Sequence, residues 1–307
     1  MIKEEKMRIF YYTNNYLKHI KYALSVFSFC VGSNAAAASD PDHMSCYQIM
    51  YPPSPPALGH HGLGVFFFIS TRLGKLLIQL DTGRPDSVGI TNGDSSGRNV
   101  KVENLDLPSL KQMIFFNPKT TYFNRNYKFL KKYSRIVIGV NFMIGKETKI
   151  DLSKKTICFS NGDYVFHENN TMNWVVPIGL PDRIAIPIKY EHYLFGYAVF
   201  DTGASAFPVS FTSDFLKKIP ISITDNRKVY SIELSDARGR FEINYISDPY
   251  EITIGEDIFR NDRIYINKDR TPKDITSKYI GIIGTSNFEG RTIVIKLSGK
   301  YRFGFSK

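Results

Sequence analysis

The hydrophobic and polar positions of the chain alternate in short runs, and this pattern predicts a fold built from β-strands. The first clear example is a pair of apolar runs, Gly64–Ile69 and Leu76–Leu80, which the polar turn Arg72–Lys75 joins. Runs of this length with turn residues between them are typical of a β-hairpin. The second run leads directly into an Asp-Thr-Gly sequence at residues 81–83.

The same order of elements returns in the second half of the chain. Ile184–Ile188 and Phe195–Phe200 are again two strand-like runs, and Tyr190–Tyr193 is the turn between them. A second Asp-Thr-Gly sequence follows at residues 201–203. A recurring order of elements is the signature of an internal structural repeat.

The repeat continues downstream of each Asp-Thr-Gly sequence. Each half contains two apolar residues followed by a glycine, Gly139 in the first half and Gly284 in the second. Each half then ends in a run that is predicted to be a closing strand. These runs are Ile150–Lys155 and Ile295–Lys300, and they have several amino acids in common at equivalent positions. The halves therefore carry the same elements in the same order.

These patterns predict an all-β, bilobal fold with a cleft between two related lobes. The N-terminal lobe is predicted to span residues 63–160, the connector residues 161–182 and the C-terminal lobe residues 183–307. Abundant Ile, Val, Tyr and Phe favour strands in both lobes.

Three further local elements are predicted. Tyr127, Leu130 and Tyr133 recur at helical spacing and predict a helix over Asn124–Arg135. A short helix is predicted over Ser213–Lys218, with Thr212 or Ser213 as its N-cap. A hairpin is predicted around the turn at 236–239.

The N-terminus has the pattern of a secretory signal peptide. Lys18 and Lys21 precede a short apolar run at 22–31, and a stretch of alanines at 35–38 follows. We expect residues 1–38 to be removed, which would leave no stable membrane anchor, because the run is shorter than the roughly 20 residues of a spanning helix. A buried or interfacial helix is the alternative interpretation. Residues 39–62 are Pro-rich and are predicted to be a leader or linker.

Composition and charge narrow the function classes. The chain has 307 residues, of which 43% are hydrophobic, and a formal net charge of +11. Residues 1–38 hold five Lys/Arg and two Glu, so the mature chain would carry +8. Most of the basic residues are scattered, and no nucleic-acid-binding module is recognisable, so we predict no nucleic-acid partner.

Cysteine and histidine usage gives two weaker signals. Cys30 would leave with the signal peptide, so Cys46 and Cys158 would remain. In an exported protein these two form one disulfide or remain as two unpaired thiols. His60 and His61 lie in the Pro-rich leader without an evident third ligand, and we predict no metal site.

The two Asp-Thr-Gly sequences carry the candidate chemistry. A single copy is most simply a turn after a strand, but two copies in equivalent positions are far less expected by chance. Pseudo-symmetry would bring the carboxylates of Asp81 and Asp201 face to face. Two close carboxylates do not both ionise readily, so the pair shares one proton. One can then act as general base on a water and the other as general acid.

Residues 80–83, 200–204, 137–139 and 282–284 together resemble the aspartic proteases of the pepsin and retropepsin clan, whose catalytic dyad is a well-known case of such proton sharing. The resemblance covers residues 63–307 and suggests one chain with two retropepsin-like β-barrel lobes. It implies an endopeptidase without cofactor or metal that binds an extended peptide or protein substrate. The oligomeric state stays open. The implied catalytic pair is Asp81 and Asp201, and the implied supporting residues are Thr82, Gly83, Gly139, Thr202, Gly203, Ala204 and Gly284.

Two features depart from the family pattern. Arg84 stands where the family usually has a small residue, and a guanidinium near the dyad would favour its ionised form. Arg84 could instead point into solvent. The hairpin that covers the cleft in this family has only weak candidates here, around Tyr122 in the first half and Gly239 in the second. These departures keep open an alternative function, a catalytically impaired protein that binds peptides.

Overall fold

The structure is a computed structural model, and it describes twelve stretches of the chain, all within one compact unit that spans residues 41–307. The predicted signal peptide, His60, His61 and Tyr122 lie outside the described residues, as does the predicted helix except for Arg135. The described stretches are 44–51, 64–71, 74–85, 88–90, 114–116, 135–160, 171–180, 183–191, 194–218, 229–236, 239–267 and 278–306.

Within these stretches the structure contains 21 β-strands, and helical structure is confined to single turns. The helical turns are the α-helices Val140–Met143 and Ser213–Leu216 and the 3-10 helices Thr202–Ala204 and Thr285–Phe288. The strands are β1 (Ser45–Met50), β2 (Val65–Thr71), β3 (Gly74–Leu80), β4 (Val88–Ile90), β5 (Ile114–Phe116), β6 (Arg135–Ile138), β7 (Glu147–Asp151), β8 (Thr156–Phe159), β9 (Met172–Val175), β10 (Ile178–Leu180), β11 (Arg183–Tyr190), β12 (Leu194–Phe200), β13 (Val209–Thr212), β14 (Val229–Asp236), β15 (Gly239–Ile246), β16 (Tyr250–Ile254), β17 (Asp257–Asn261), β18 (Ile264–Asn267), β19 (Tyr279–Ile283), β20 (Thr292–Lys296) and β21 (Arg302–Ser306).

The described strands form two large sheets, which confirms the prediction of an all-β fold with two related halves. The first sheet has eleven strands in the order β5-β4-β6-β3-β2-β1-β8-β7-β20-β21-β9. The second has the order β14-β15-β18-β13-β19-β12-β11-β16-β17, with β10 beside β11. Each predicted hairpin is present, because β2 pairs with β3 and β11 pairs with β12 in antiparallel register.

In each half the strand that leads into Asp-Thr-Gly pairs with the strand that leads into the later glycine. β3 runs parallel to β6, with Leu80 opposite Ile138, and β12 runs parallel to β19, with Phe200 opposite Ile283. All four of these apolar residues are fully buried. The parallel pairing brings the ends of both strands to the same edge, so each Asp-Thr-Gly loop lies beside its own glycine.

The two halves meet through a pair of equivalent strands. β7 and β20 are antiparallel, and Lys149 lies opposite Val294. On either side of this pair, Ile150 faces Ile293 and Ile295 faces Thr148. Because Ile150 and Ile295 occupy equivalent places in the sequence repeat, the pairing is symmetric about Lys149 and Val294. A local two-fold axis between the halves therefore passes through this strand pair.

The closing strands differ in extent from the prediction. The sequence predicts strands that run to Lys155 and Lys300, but β7 ends at Asp151 and β20 at Lys296. The Asp151 carboxylate accepts hydrogen bonds from the Ser153 hydroxyl at 2.7 Å and the Lys154 amide at 2.9 Å, and this local turn competes with the strand. Lys155 has a φ of 54° and is the last residue of the turn that separates β7 from β8.

The fold also takes in parts of the segments assigned to the leader and the connector. Residues 45–50 of the leader form β1, which pairs with β2 on one side and β8 on the other. A disulfide joins Cys46 in β1 to Cys158 in β8, across 112 positions of the sequence. β9 and β10 form within the connector and pair with β21 and β11. These segments fold because buried apolar side chains, such as Ile49 and Val175, attach them to the core.

The short helix and the hairpin predicted in the second half are both present, although the helix is shorter than predicted. The helix begins at Ser213, and the Thr212 hydroxyl caps it by accepting a hydrogen bond from the Phe215 amide at 3.2 Å. It ends at Leu216, two residues earlier than predicted. The predicted hairpin consists of β14 and β15, and Asp236 lies opposite Gly239 at the turn.

Candidate active site

The two Asp-Thr-Gly loops begin at equivalent points in the two halves. The Asp81 amide donates to the Ile138 carbonyl at 2.9 Å, and the Asp201 amide donates to the Ile283 carbonyl at the same distance. These bonds continue the parallel pairing of each half by one residue. The strand ends therefore fix where each aspartate leaves its sheet.

Thr82 and Thr202 hold the two loops against each other. The Thr82 amide donates to the Thr202 hydroxyl at 3.1 Å, and the Thr202 amide donates to the Thr82 hydroxyl at 3.0 Å. Each hydroxyl then donates across the interface at 2.7 Å, that of Thr82 to the Phe200 carbonyl and that of Thr202 to the Leu80 carbonyl. Both threonines are fully buried, so the four bonds form a closed, two-fold network away from water.

The network brings the two carboxyl groups together, and the Asp81 side chain is hydrogen-bonded to that of Asp201. Each carboxylate also accepts a hydrogen bond from a backbone amide of its own loop. The Gly83 amide donates to Asp81 at 3.2 Å, and the Gly203 amide donates to Asp201 at 2.7 Å. A side chain at Gly83 would overlap the Asp201 carboxylate, and a Cβ at Gly203 would lie 2.9 Å from an Asp81 oxygen. Both positions therefore require glycine for the carboxylates to meet.

The pair has the electrostatics of two carboxyls that share one proton. Burial, and after it the negative charge of Asp201, raises the pKa of Asp81 from 3.8 to about 8. The hydrogen bond from the Gly83 amide acts in the opposite direction but is a smaller effect. The shared proton belongs to the pair rather than to either residue.

Arg84 is close enough to the pair to act on it. Its guanidinium lowers the pKa of Asp81, although burial and Asp201 outweigh this effect. The residue is half-buried, its amide donates to the Asp81 carbonyl at 3.3 Å, and its carbonyl accepts the Val140 amide at 3.0 Å. The Arg84 side chain is therefore only partly exposed to solvent.

Gly284 and Gly139, two of the predicted supporting residues, lie at equivalent strand ends in the two halves. Gly284 packs under the second loop, and its amide donates to the carbonyls of Phe207 and Pro208, each at 3.1 Å. A Cβ at Gly284 would overlap the carbonyl oxygens of Ala204 and Phe207. Gly139 has the same extended backbone as Gly284 and likewise precedes a helical turn. The two glycines thus end their strands in the same way.

The flap candidates remain predictions. Tyr122 lies outside the described residues, and Gly239 is the first residue of β15 in the β14–β15 hairpin. This hairpin is connected to the second loop through Ile243, which packs with Phe207 and Tyr265 in a cluster that Ala204 contacts.

Two residues near the pair, Arg183 and Tyr279, are absent from the sequence prediction. The Tyr279 hydroxyl is buried and has no hydrogen-bond partner among the described residues. Burial and the charge of Asp201 raise the pKa of Tyr279, and Arg183 lowers it. Arg183 could have been found from the sequence, because the pairing of the predicted hairpin, continued to its open end, puts Arg183 opposite Asp201. No sequence pattern indicates Tyr279.

The structure is an all-β fold of two related halves, and the two Asp-Thr-Gly loops meet between these halves. The chain matches no protein-family model and no curated protein sequence. Among solved structures it is similar to basic 7S globulin from soybean, with a TM-score of 0.49 and 9% identity over 87% of this chain and 95% of that chain. The function is therefore inferred from the residues of this chain.

The described stretches also bear on membrane and metal binding. No helix within them is long and apolar enough to cross a membrane. No group of three or more His, Cys, Asp or Glu side chains in the same stretches is arranged to hold a metal ion.

Proposed function

We propose that the chain is an exported aspartic endopeptidase that hydrolyses peptide bonds with a water activated by Asp81 and Asp201. The observation that carries this proposal is the hydrogen-bonded contact between the two carboxyls at the ends of symmetric Asp-Thr-Gly loops. A buried carboxyl pair with a raised pKa is what general acid–base catalysis near neutral pH needs.

The proposed reaction uses one proton and one water. In the monoprotonated pair, the ionised carboxylate takes a proton from the water as its oxygen attacks the peptide carbonyl carbon. The other carboxyl donates its proton to the carbonyl oxygen, which gives a neutral tetrahedral diol. Collapse of the diol breaks the C–N bond when the amine nitrogen is protonated by one carboxyl and a diol hydroxyl proton returns to the other. The pair then holds one proton again, so the cycle closes.

The four-bond network around Thr82 and Thr202 supports this function because catalysis requires the carboxyls to stay in place. Its donors and acceptors are all paired within the network and buried. Rigid positioning of acid and base lowers the reorganisation needed in the transition state.

Export is part of the same proposal. The disulfide between Cys46 and Cys158 fits an oxidising compartment, and the pattern of residues 1–38 fits a signal peptide.

The second candidate function is peptide binding without hydrolysis. Arg84 favours it, because its charge lowers the pKa of Asp81 and so promotes the doubly ionised pair, which has no proton to donate. In that state the site would keep its geometry and could bind a peptide, but it could not protonate the peptide carbonyl oxygen.

The deciding experiment incubates the mature chain, from residue 39 onward, with a peptide library across acid to neutral pH. Mass spectrometry would identify new peptide ends, and a statine-type inhibitor should suppress them. Asp81→Asn and Asp201→Asn should each abolish cleavage, whereas the control Asp214→Asn should cleave normally, because Asp214 is an exposed helix residue paired with Lys217. Cleavage that persists in either dyad variant, or no cleavage by folded wild type, would exclude the proposed mechanism.

A further inference from the structure

Two arginines lie beside the carboxyl pair, one from each half, and neither has a counterpart in the other half. Arg84 follows the first Asp-Thr-Gly, and the equivalent residue of the second loop is Ala204. The Arg84 amide donates to the Asp81 carbonyl at 3.3 Å, and the charge of Arg84 lowers the pKa of Asp81. The first half therefore places a cation at the site at a position where the second half has a methyl group.

Strand register places Arg183 beside Asp201. Ala185 lies opposite Val199 in the β11–β12 pair, and continuing this register by two residues puts Arg183 next to Asp201. Alternate residues share one face of a sheet, so both side chains lie on the face opposite to the buried Phe200. Directly opposed residues have Cβ atoms about 5 Å apart.

The electrostatics of Tyr279 agree with this register. The charge of Asp201 raises the pKa of Tyr279, and the charge of Arg183 lowers it, so both lie near one hydroxyl. In the first half the register of β2 and β3 places Gly64 beside Asp81, because Val65 is opposite Leu80. The second half therefore places its cation at a position where the first half has no side chain.

We propose that Arg84 and Arg183 make this site select peptides with acidic side chains near the scissile bond. This inference rests on the proposed function and names its substrate class. A guanidinium binds a carboxylate through two parallel hydrogen bonds, which a glutamine cannot reproduce. Both arginines are half-buried, so their charges are screened less than exposed ones. The net charge of +8 expected for the mature chain would also attract acidic chains over a longer range.

The test uses pairs of fluorogenic peptides built on a cleaved sequence, in which Glu replaces Gln at one position at a time on either side of the scissile bond. The wild type should cleave the best Glu peptide with a kcat/KM about tenfold above that of its Gln partner. Arg84→Gln and Arg183→Gln should each reduce the ratio of the Glu peptide to the Gln peptide toward one, and each should do so for the peptide position that its arginine contacts. Arg260→Gln is the matched control, since Arg260 is exposed and paired with Glu251, and its ratio should equal that of the wild type.

A binding arm separates this inference from the proposed function. The same Glu and Gln sequences, made with a reduced, uncleavable central bond, are titrated onto each protein and followed by fluorescence anisotropy. If no peptide is hydrolysed but Glu-dependent binding is present and disappears in the arginine variants, the proposed function fails and the selectivity stands. Equal Glu and Gln affinities and rates in the wild type, or a Glu preference that survives in both arginine variants, would overturn the inference.

Discussion

Thr82 and Thr202 each accept a hydrogen bond from the backbone amide of the other, at 3.0 and 3.1 Å. The residues are 120 positions apart, and each also donates its hydroxyl to the strand that precedes the other loop. No other described contact joins the two candidate catalytic loops so symmetrically. The position of both carboxyls therefore depends on two side chains that perform no proton transfer themselves.

The first prediction concerns this network. Thr202→Val keeps the shape of the side chain but removes the donor to Leu80 and leaves the Thr82 amide without its acceptor. Leaving a buried polar group unpaired costs about 1–3 kcal/mol, so the loss of both bonds should lower the free energy of unfolding by about 2–6 kcal/mol. Urea denaturation of the mature chain measures this change. Thr202→Ser keeps the hydroxyl, so its free energy of unfolding should fall much less. If Thr202→Val proved as stable as Thr202→Ser, the role of the network would be contradicted.

The second prediction follows from the raised pKa of Asp81. A group whose pKa is higher in the folded state holds its proton more tightly there, so its stabilising contribution is complete below pH 3.8 and is lost as the pH rises toward 8. Asp81→Asn cannot ionise. Its melting temperature relative to the wild type should therefore increase steadily between pH 4 and pH 8, as measured by differential scanning calorimetry.

The control for this measurement is Asp214→Asn. The hydrogen bond and charge of Lys217 lower the pKa of the exposed Asp214, so its stabilising contribution is present above pH 3.8 and is lost at lower pH. Replacing it should have a small effect of the opposite sign. A pH-independent difference between Asp81→Asn and the wild type would show that the pair carries no extra proton in the folded state.

The third prediction concerns Arg84 and the pH dependence of activity. Removing its charge in Arg84→Ala should raise the pKa of the pair further, because Arg84 now lowers it. The alkaline limb of the pH–rate profile for kcat should then move to higher pH, with greater activity near and above neutrality. Arg84→Lys keeps a positive charge, so its pH–rate profile should be closer to that of the wild type. Identical profiles for the wild type and Arg84→Ala would mean that Arg84 does not influence the shared proton.

The fourth prediction concerns the disulfide that fastens β1 to β8. Mass spectrometry of the non-reduced protein should find Cys46 linked to Cys158. A loop of this length corresponds to about 4–5 kcal/mol in the chain-entropy treatment, so the double variant Cys46→Ser with Cys158→Ser should be less stable by up to that amount. Cys30→Ser is the control, because Cys30 lies in the segment predicted to be removed. Two unmodified thiols in the exported protein would refute the linkage.

Sequence alone determined the elements that depend on local pattern. The hairpins before Asp81 and Asp201 follow from apolar runs of strand length separated by polar turns, and the structure contains both. The short helix after residue 212 follows from a hydroxyl placed to accept an early helix amide, and the structure selects Thr212 over Ser213 as that cap. The repeat of Asp-Thr-Gly also predicted that two carboxyls would meet, because equivalent elements in two halves fold alike and dock by symmetry.

Only the tertiary structure decided the features that depend on partners distant in the chain. No local pattern shows that residues 45–50 find β2 and β8, or that β7 pairs with β20 across the local two-fold axis. The strand end at Asp151 comes earlier than the sequence predicts, because strand propensity does not account for a carboxylate that folds back onto its own turn. The raised pKa of Asp81 likewise required the fold, since burial and the approach of Asp201 cause it, and both arise only when residues 120 positions apart are brought into contact.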